Sequence, residues 1–197
     1  MKSVLISIRP KWCELIAKGE KTVEIRKTKP KIETPFKVYI YCTADTVKHI
    51  VFDEYGDRQI ELVPQRVIGE FVCDKVFLWN HDIHDDDSIT LETASQLACL
   101  SEDALLDYAD GYFYGWHISN LKVYDRPFEL RQFTVEGDCD CLNCRRCLWA
   151  EPGNGYNVED DCGLPYEYMG TGKELKPLFR PPQSWCYVEE VQYGSLE

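Results

Sequence analysis

Three charged side chains lie close together in the stretch GEKTVEIRK, residues 19–27. Lys21, Glu24 and Arg26 alternate there with β-branched apolar residues, a period of two that predicts a strand. Successive side chains of a strand point to opposite faces, so Thr22, Glu24 and Arg26 share one face, with Lys21 at its start. A desolvated lysine can act as a base or nucleophile, a carboxylate can carry a proton, and a guanidinium can hold phosphate or carbonyl oxygens. The stretch therefore predicts either a polar ligand pocket or a solvated strand edge.

Other polar residues that could join such a pocket lie far along the chain. Glu70 is a carboxylate inside the apolar run RVIGEFVC, and the closing segment RPPQSWCYV brings polar and aromatic side chains suited to a nucleobase. The predicted ligand-binding set is Arg9, Lys21, Thr22, Glu24, Arg26, Glu70, Trp116, Gln183, Ser184 and Trp185. If the chain is an enzyme, the predicted catalytic residues are Lys21, Glu24 and Glu70.

Charge is spread unevenly over this acidic chain. The net charge is −12, which argues against coating a nucleic-acid duplex, because phosphate binding needs Lys and Arg. Residues 1–37, however, hold ten Lys/Arg against four Asp/Glu, a balance of +6, and residues 81–110 hold nine acids and no Lys or Arg. This asymmetry permits one basic cleft for a nucleotide or a short unpaired segment.

Length and hydropathy predict a cytoplasmic protein that has no contact with a membrane. At 197 residues with 44% apolar residues, the chain can bury one core, and we find neither a bilayer-spanning run nor a signal-peptide pattern. The ten cysteines are then reduced thiols or metal ligands.

Five cysteines cluster in residues 138–172, a segment with little apolar periodicity. Two overlapping C-x2-C steps and a downstream cysteine fit a tetrahedral thiolate zinc site, whose binding energy would fold this segment. We predict a structural zinc held by four of Cys139, Cys141, Cys144, Cys147 and Cys162. The alternative is five free thiols. Cys13, Cys42, Cys73, Cys99 and Cys186 lie in apolar runs and are predicted to be packed thiols.

The predicted elements are mostly strands. Strands are expected at 4–10, 22–26, 36–44, 66–79, 113–125, 128–133 and 184–191. Short helices are expected after Pro10, ending at Gly19, and after Ser101, ending at Gly111. Gly69 predicts a bulge or a close backbone approach. These elements suggest an α+β fold, a small mixed and mostly antiparallel β-barrel with short flanking helices. The predicted domain comprises 1–137 and 173–195, with 138–172 as a zinc-stabilised insertion.

The motif G-x-K-x-x-E-x-R, formed by Gly19, Lys21, Glu24 and Arg26, resembles the signature of the ASCH domain of the PUA-like superfamily. SIRPKWCELIAKGEKTVEIRK, VIGEFVCDKV, YGWHIS and RPPQSWCYVEE resemble, in order, the blocks of bacterial and prophage ASCH proteins. The resemblance implies a PUA-like barrel with a cleft for RNA or modified nucleosides. One branch of that family removes the acetyl group of N4-acetylcytidine, using the pattern G-x-K-T-x-T-x-R. This chain keeps Lys21, Thr22 and Arg26 but has Glu24 in place of the second threonine.

The function predicted from the sequence is therefore binding of RNA or a modified nucleotide. Trp116 or Trp185 would stack on an unpaired base, Lys21 and Arg26 would take phosphate or carbonyl oxygens, and Glu24 or Glu70 would accept from an exocyclic amine. Alternatives are an amidohydrolase acting on N4-acylcytidine or a similar nucleoside, a ribonuclease, and an adaptor that docks a protein partner through the cysteine-rich insertion.

Overall fold

A computed structural model describes residues 2–44, 49–52, 59–81, 88–137 and 174–189. The strands are β1 (Lys2–Ile8), β2 (Val23–Arg26), β3 (Phe36–Cys42), β4 (His49–Phe52), β5 (Gln59–Leu62), β6 (Arg66–Cys73), β7 (Val76–Asn80), β8 (Tyr112–His117), β9 (Ser119–Phe128), β10 (Thr134–Gly137), β11 (Glu174–Pro177) and β12 (Trp185–Glu189). The helices are α1 (Pro10–Ala17), α2 (Leu91–Ala98), α3 (Glu102–Tyr108) and a 3₁₀ turn (Leu130–Gln132). The predicted insertion, residues 138–172, lies outside the described residues.

The central element is a five-stranded mixed sheet in the order β12-β1-β3-β6-β9. Strands β1 and β3 are parallel, and every other pair in this sheet is antiparallel. Parallel strands need a crossover connection, and here helix α1 and strand β2 lie between β1 and β3 along the chain. Apolar side chains cover both faces of β1, since all residues from Ser3 to Ile8 are buried. The sheet therefore has a core on each side.

A second, three-stranded sheet in the order β2-β8-β7 carries the charged stretch. Strand β2 is an edge strand that pairs antiparallel with β8, with Glu24 opposite Trp116 and Arg26 opposite Tyr114. Helices α2 and α3 pack on this sheet around Val23 and Phe113. The charged stretch is thus fixed between a sheet and two helices.

The prediction of a mostly antiparallel, strand-rich fold is confirmed, but the predicted closed barrel is not found. Within the described ranges the strands form four separate sheets, two of them the hairpin-like pairs β4-β5 and β10-β11, and none closes on itself. The reason is that the chain passes between the five-stranded and the three-stranded sheet at two points. One point divides the predicted strand 66–79, and the other divides the predicted strand 113–125.

The first division lies at Asp74, between β6 and β7. Asp74 is exposed, and its carboxylate lies 2.6 Å from Nδ1 of His117, a hydrogen bond that lowers the pKa of Asp74. The second division lies at Ile118, between β8 and β9. These turns send β6 and β9 into the large sheet and β7 and β8 into the small one.

Two further predictions of secondary structure are wrong around Pro127. Strand β9 continues through Pro127 to Phe128, because β9 is an edge of the large sheet, where a missing N–H is tolerated. The predicted strand 128–133 is instead a 3₁₀ turn. Glu129 and Gln132 form a capping box there, which competes with extended backbone.

Gly69 makes the close approach that its position in the sequence predicted. The pairing of β6 with β9 shifts register beside it, and a Cβ atom at Gly69 would lie 2.5 Å from the carbonyl oxygen of Lys122. Any side chain there would collide with backbone. The glycine thus allows the edge strand to pack against β6.

Candidate functional site

The charged stretch begins where helix α1 ends. Gly19 takes the left-handed conformation (φ 73°) that ends the helix. The chain then passes along the C-terminal end of α2, where the Thr22 amide donates to the carbonyl of Leu97 at 2.9 Å. This contact sets the position of Lys21 before β2 begins.

Lys21 is buried, with 2% of its side chain exposed, and its ammonium faces three acceptors. Nζ donates to the carbonyl oxygens of Val23 at 2.8 Å and Ala98 at 2.9 Å. Oε2 of Glu24 lies 3.4 Å away. Ala98 is the last residue of α2, so Lys21 places a positive charge where the helix dipole is negative. Two of the three N–H donors of the ammonium are therefore held by backbone carbonyls, and the charge is paired with Glu24.

Glu24 joins Lys21 to Arg26. Its carboxylate is 8% exposed and lies 3.0 Å from Nη2 of Arg26 through Oε1. The same Nη2 donates to the carbonyl oxygen of Ser7 at 2.7 Å. Among the residues that the structure describes, the contacts of Arg26 run through Nη2, and its Nε is buried without a hydrogen-bond partner. The three side chains form one buried network with two positive charges and one negative charge.

This network lines a cleft of about 730 Å³. The cleft lies between the α1 end of the large sheet, helix α3 and the segment that precedes β12. Its described lining comprises Ser7, Arg9, Trp12, Lys21, Glu24, Ile25, Arg26, Thr43, Leu100, Ala104, Tyr108, Pro181, Pro182, Gln183 and Ser184. A volume of this size is typical of a small-molecule site.

The segment 181–184 is tied to β1 by Ser7. The Ser7 hydroxyl donates to the carbonyl of Pro182 at 2.7 Å, and the Ser7 amide donates to the carbonyl of Ser184 at 2.9 Å. Two segments that are far apart in sequence, Ser7 with its neighbours in β1 and residues 181–184, therefore form one wall of the cleft. Gln183 is exposed on this wall, within reach of a ligand.

Six of the ten predicted ligand-binding residues line this cleft: Arg9, Lys21, Glu24, Arg26, Gln183 and Ser184. Four do not: Thr22, Glu70, Trp116 and Trp185. Thr22 uses its backbone to join α2 and β8, since its carbonyl accepts from the amide of Ile118. Glu70 lies on β6 of the large sheet and outside the cleft lining, where it accepts from the hydroxyl of Tyr124 at 2.7 Å and lies 3.7 Å from Nζ of Lys37. The expectation of one cleft containing both Glu24 and Glu70 therefore does not match the geometry.

The two tryptophans pack beneath the cleft instead of in it. Trp116 is fully buried against Phe36 and Trp185, so a base cannot stack on its ring in this arrangement. Trp185 is partly buried, and its Nε1 donates to the hydroxyl of Thr28 at 3.0 Å. Because both rings are large and apolar and belong to paired strands, Trp116 is fully buried and Trp185 is partly buried.

Sequence reasoning did not place Trp12, Leu100, Ala104 and Tyr108 at the site. Helix α2 was not predicted, although Thr90 caps it and Ala94 and Ala98 are spaced as a buried helical face. That helix turns the chain so that α3 can bring Ala104 and Tyr108 to the cleft. Trp12 belongs to α1, and the centroid of its ring lies 5.5 Å from Nζ of Lys21.

The described thiols outside the cysteine-rich segment are packed or partly packed, as predicted. Cys13, Cys42 and Cys73 are buried, while Cys99 and Cys186 are intermediate. Burial raises the pKa of Cys73 and of Cys186 to about 12, and burial raises the pKa of Cys13 as well. A raised pKa keeps the thiols of Cys13, Cys73 and Cys186 protonated at neutral pH, and the thiol is the less nucleophilic form.

A metal site cannot be located among the described residues, which contain no group of three or more His, Cys, Asp or Glu placed to hold an ion. Cys139, Cys141, Cys144, Cys147 and Cys162 all lie outside them, so the structural zinc stays a prediction. None of the described helices is long and apolar enough to span a membrane.

Comparison with known proteins gives matches to solved structures alone. No protein-family model matches the chain, and no curated protein does. Crystal structures of the ASCH protein of Zymomonas mobilis match at 20% identity and a TM-score of 0.46, covering 65% of this chain and 73% of that one. A tyrosine-to-phenylalanine variant of that protein gives the same identity and TM-score over 66% and 77%. A serine-to-alanine variant gives 21% and 0.45 over 65% and 74%.

These structures are of the ASCH domain, the family whose sequence blocks the chain resembles. Identities of 20–21% and TM-scores of 0.45–0.46 do not assign a function to this chain.

Proposed function

We propose that this chain binds unpaired RNA or a modified nucleotide in the cleft above Lys21, Glu24 and Arg26. The observation that supports this most is the buried charged network at the floor of an open cleft of about 730 Å³. Lys21 and Glu24 are buried and Arg26 is partly buried, and burying charge contributes little to stability compared with an apolar core, which favours a role for this network in recognising a ligand.

The walls suit a nucleotide. Tyr108 offers an aromatic ring that is 37% exposed, on which an unpaired base can stack. The guanidinium of Arg26 can donate to phosphate or carbonyl oxygens, and Glu24 and Gln183 can accept from base amines. Trp116, Trp185 and Glu70 have no part in this proposal because they do not line the cleft.

Hydrolysis of an N4-acylcytidine is the alternative, and the contacts of Lys21 argue against it. A neutral amine keeps two N–H donors and presents a lone pair. A neutral amine could donate to the carbonyls of Val23 and Ala98, but it would carry no positive charge to attract the carboxylate of Glu24, as an ammonium does. Lys21 therefore has a positioning role, and we expect no turnover of N4-acetylcytidine. Turnover that disappears in Lys21→Ala would reverse this conclusion.

The direct test is a titration of labelled single-stranded oligoribonucleotides, read by fluorescence anisotropy. Tyr108→Ala should weaken binding by about tenfold, since base stacking on an aromatic ring contributes roughly 1–3 kcal/mol. Tyr112→Ala is the matched control, because Tyr112 is also exposed (42%) but lies outside the cleft lining. Equal effects of the two substitutions, or no binding by the wild type, would contradict the proposal.

The same samples test the remaining alternatives. Chromatography of the RNA after titration would reveal fragments if the chain were a ribonuclease. A protein adaptor acting through residues 138–172 would capture its partner equally well with Tyr108→Ala. Our proposal predicts intact RNA.

A further inference from the structure

The cleft has a surplus of positive charge in an acidic protein. Among its described lining residues, Arg9, Lys21 and Arg26 are cations and Glu24 is the one carboxylate, so three minus one leaves two positive charges. The chain as a whole carries −12. Low-dielectric walls concentrate the field of such a local surplus. The lining therefore favours a ligand that brings negative charge.

The charged donors that remain available in the described lining belong to the two arginines. Lys21 donates to the carbonyls of Val23 and Ala98, and its charge is paired with Glu24. Arg26 makes its described contacts through Nη2, which leaves Nη1 available. Arg9 is exposed at the cleft edge and makes no side-chain cap for α1. Guanidinium groups present paired N–H donors that match the oxygens of a phosphate.

We infer that the cleft recognises a phosphate monoester of a nucleotide, held by Arg9 and Arg26. A monoester carries about −1.5 to −2 charges at pH 7, which matches the surplus of two; an internal phosphodiester carries one negative charge and a nucleoside carries none. This inference rests on the proposed function and specifies its substrate class. The monoester can belong to a free mononucleotide or to the terminal nucleotide of an RNA strand.

The test compares ligands that differ in charge at one group. Calorimetric titrations would use cytidine and adenosine, their 5′- and 3′-monophosphates, and the methyl esters of those monophosphates. At least one monophosphate should bind about tenfold more tightly than its methyl ester, as charge-assisted hydrogen bonds imply. Hexaribonucleotides with and without a terminal phosphate, at either end, would tell a strand end from a free nucleotide.

Substitutions of single arginines test whether the preference for the monophosphate arises in the cleft. Arg9→Gln should remove most of the advantage of the monophosphate over its methyl ester. Arg131→Gln changes the net charge equally, at an exposed residue outside the cleft lining that pairs with Glu129, and should leave the advantage intact.

The outcomes separate the two proposals. RNA or nucleotides that bind equally with and without a monoester would overturn the inference and leave the proposed function standing. The inference is also overturned if the advantage survives Arg9→Gln unchanged. Failure of every nucleoside, nucleotide and RNA to bind would overturn both.

Discussion

At the scale of single residues, Lys21 has a type and spacing that suggest catalysis, but its contacts indicate that it holds neighbouring elements in position. The spacing of Lys21, Glu24 and Arg26 predicted a shared polar environment, and the structure brings them into one network. The sequence could not reveal that Lys21 would donate to the carbonyl of Ala98, because that contact joins residues 77 positions apart through an unpredicted helix. Long-range acceptors are set by tertiary packing, which local patterns do not encode.

Replacing Lys21 by methionine should destabilise the fold. The substitution keeps the length of the side chain but leaves the buried carboxylate of Glu24 short of one cation and the end of α2 without its donor. Breaking a buried ion pair costs about 3–5 kcal/mol, which urea unfolding would measure. Lys18→Met is the control, because Lys18 pairs with Glu14 at the surface. A Lys21→Met protein as stable as the control would contradict the assigned role.

Alkaline pH should destabilise the fold through Cys73. Burial raises its pKa from 9.0 to about 12, so the folded state keeps a proton that the unfolded state releases above pH 9. The stabilising contribution is complete below pH 9 and is lost as pH rises towards 12, at up to about 1.4 kcal/mol per pH unit. The free energy of unfolding in urea should therefore fall between pH 8 and 10.5. Cys73→Ala should show a smaller fall, and an equal fall would contradict this cause.

At the scale of elements, patterns along the chain predicted those segments whose signals are local. Strand β1, helix α1 with Pro10 and Gly19, and helix α3 with its Ser101 cap all follow from such signals. The breaks at Asp74 and Ile118 did not follow, because a continuous apolar run does not tell which sheet each half will join. Glu70 lies on β6 of the large sheet and Glu24 on β2 of the small sheet, an assignment that the sequence pattern did not reveal.

The cap of α3 contributes to the cleft wall. The hydroxyl of Ser101 accepts from the amide of Ala104 at 3.2 Å, and Ala104 lines the cleft. Ser101→Ala should lower stability by about 1 kcal/mol in thermal or urea unfolding, the usual effect of losing an N-cap. Ser101→Asp keeps an acceptor and should retain stability. If both substitutions have the same effect, the cap is not the cause.

At the scale of the whole molecule, an acidic chain carries a cleft whose described lining has a surplus of positive charge. The sequence predicted this asymmetry from the basic N-terminal residues, and Arg9, Lys21 and Arg26 do line one cleft. It did not predict which aromatic ring would join them. Tyr108 comes from the acidic region 81–110, and its position depends on the packing of α2 and α3.

The cysteine-rich segment gives a separate prediction for the whole chain. Protein purified without chelator should contain about one equivalent of zinc, as measured by elemental analysis, because four thiolates from this cluster can complete a tetrahedral site. Cys144→Ser should reduce the zinc content. Cys99→Ser is the control, since Cys99 lies at the end of α2 and donates to the carbonyl of Glu20. Metal-free wild-type protein would exclude the site.

The central claim is that nucleotides bind over the Lys21–Glu24–Arg26 network, and NMR of the tryptophan indoles tests it most directly. Trp12 lines the cleft, whereas Trp79 is buried beside Phe113 and outside the lining. On titration with a single-stranded oligoribonucleotide, the indole N–H signal of Trp12 should shift saturably and that of Trp79 should stay in place. Saturable binding that leaves the Trp12 signal unmoved would locate the RNA elsewhere and contradict the account.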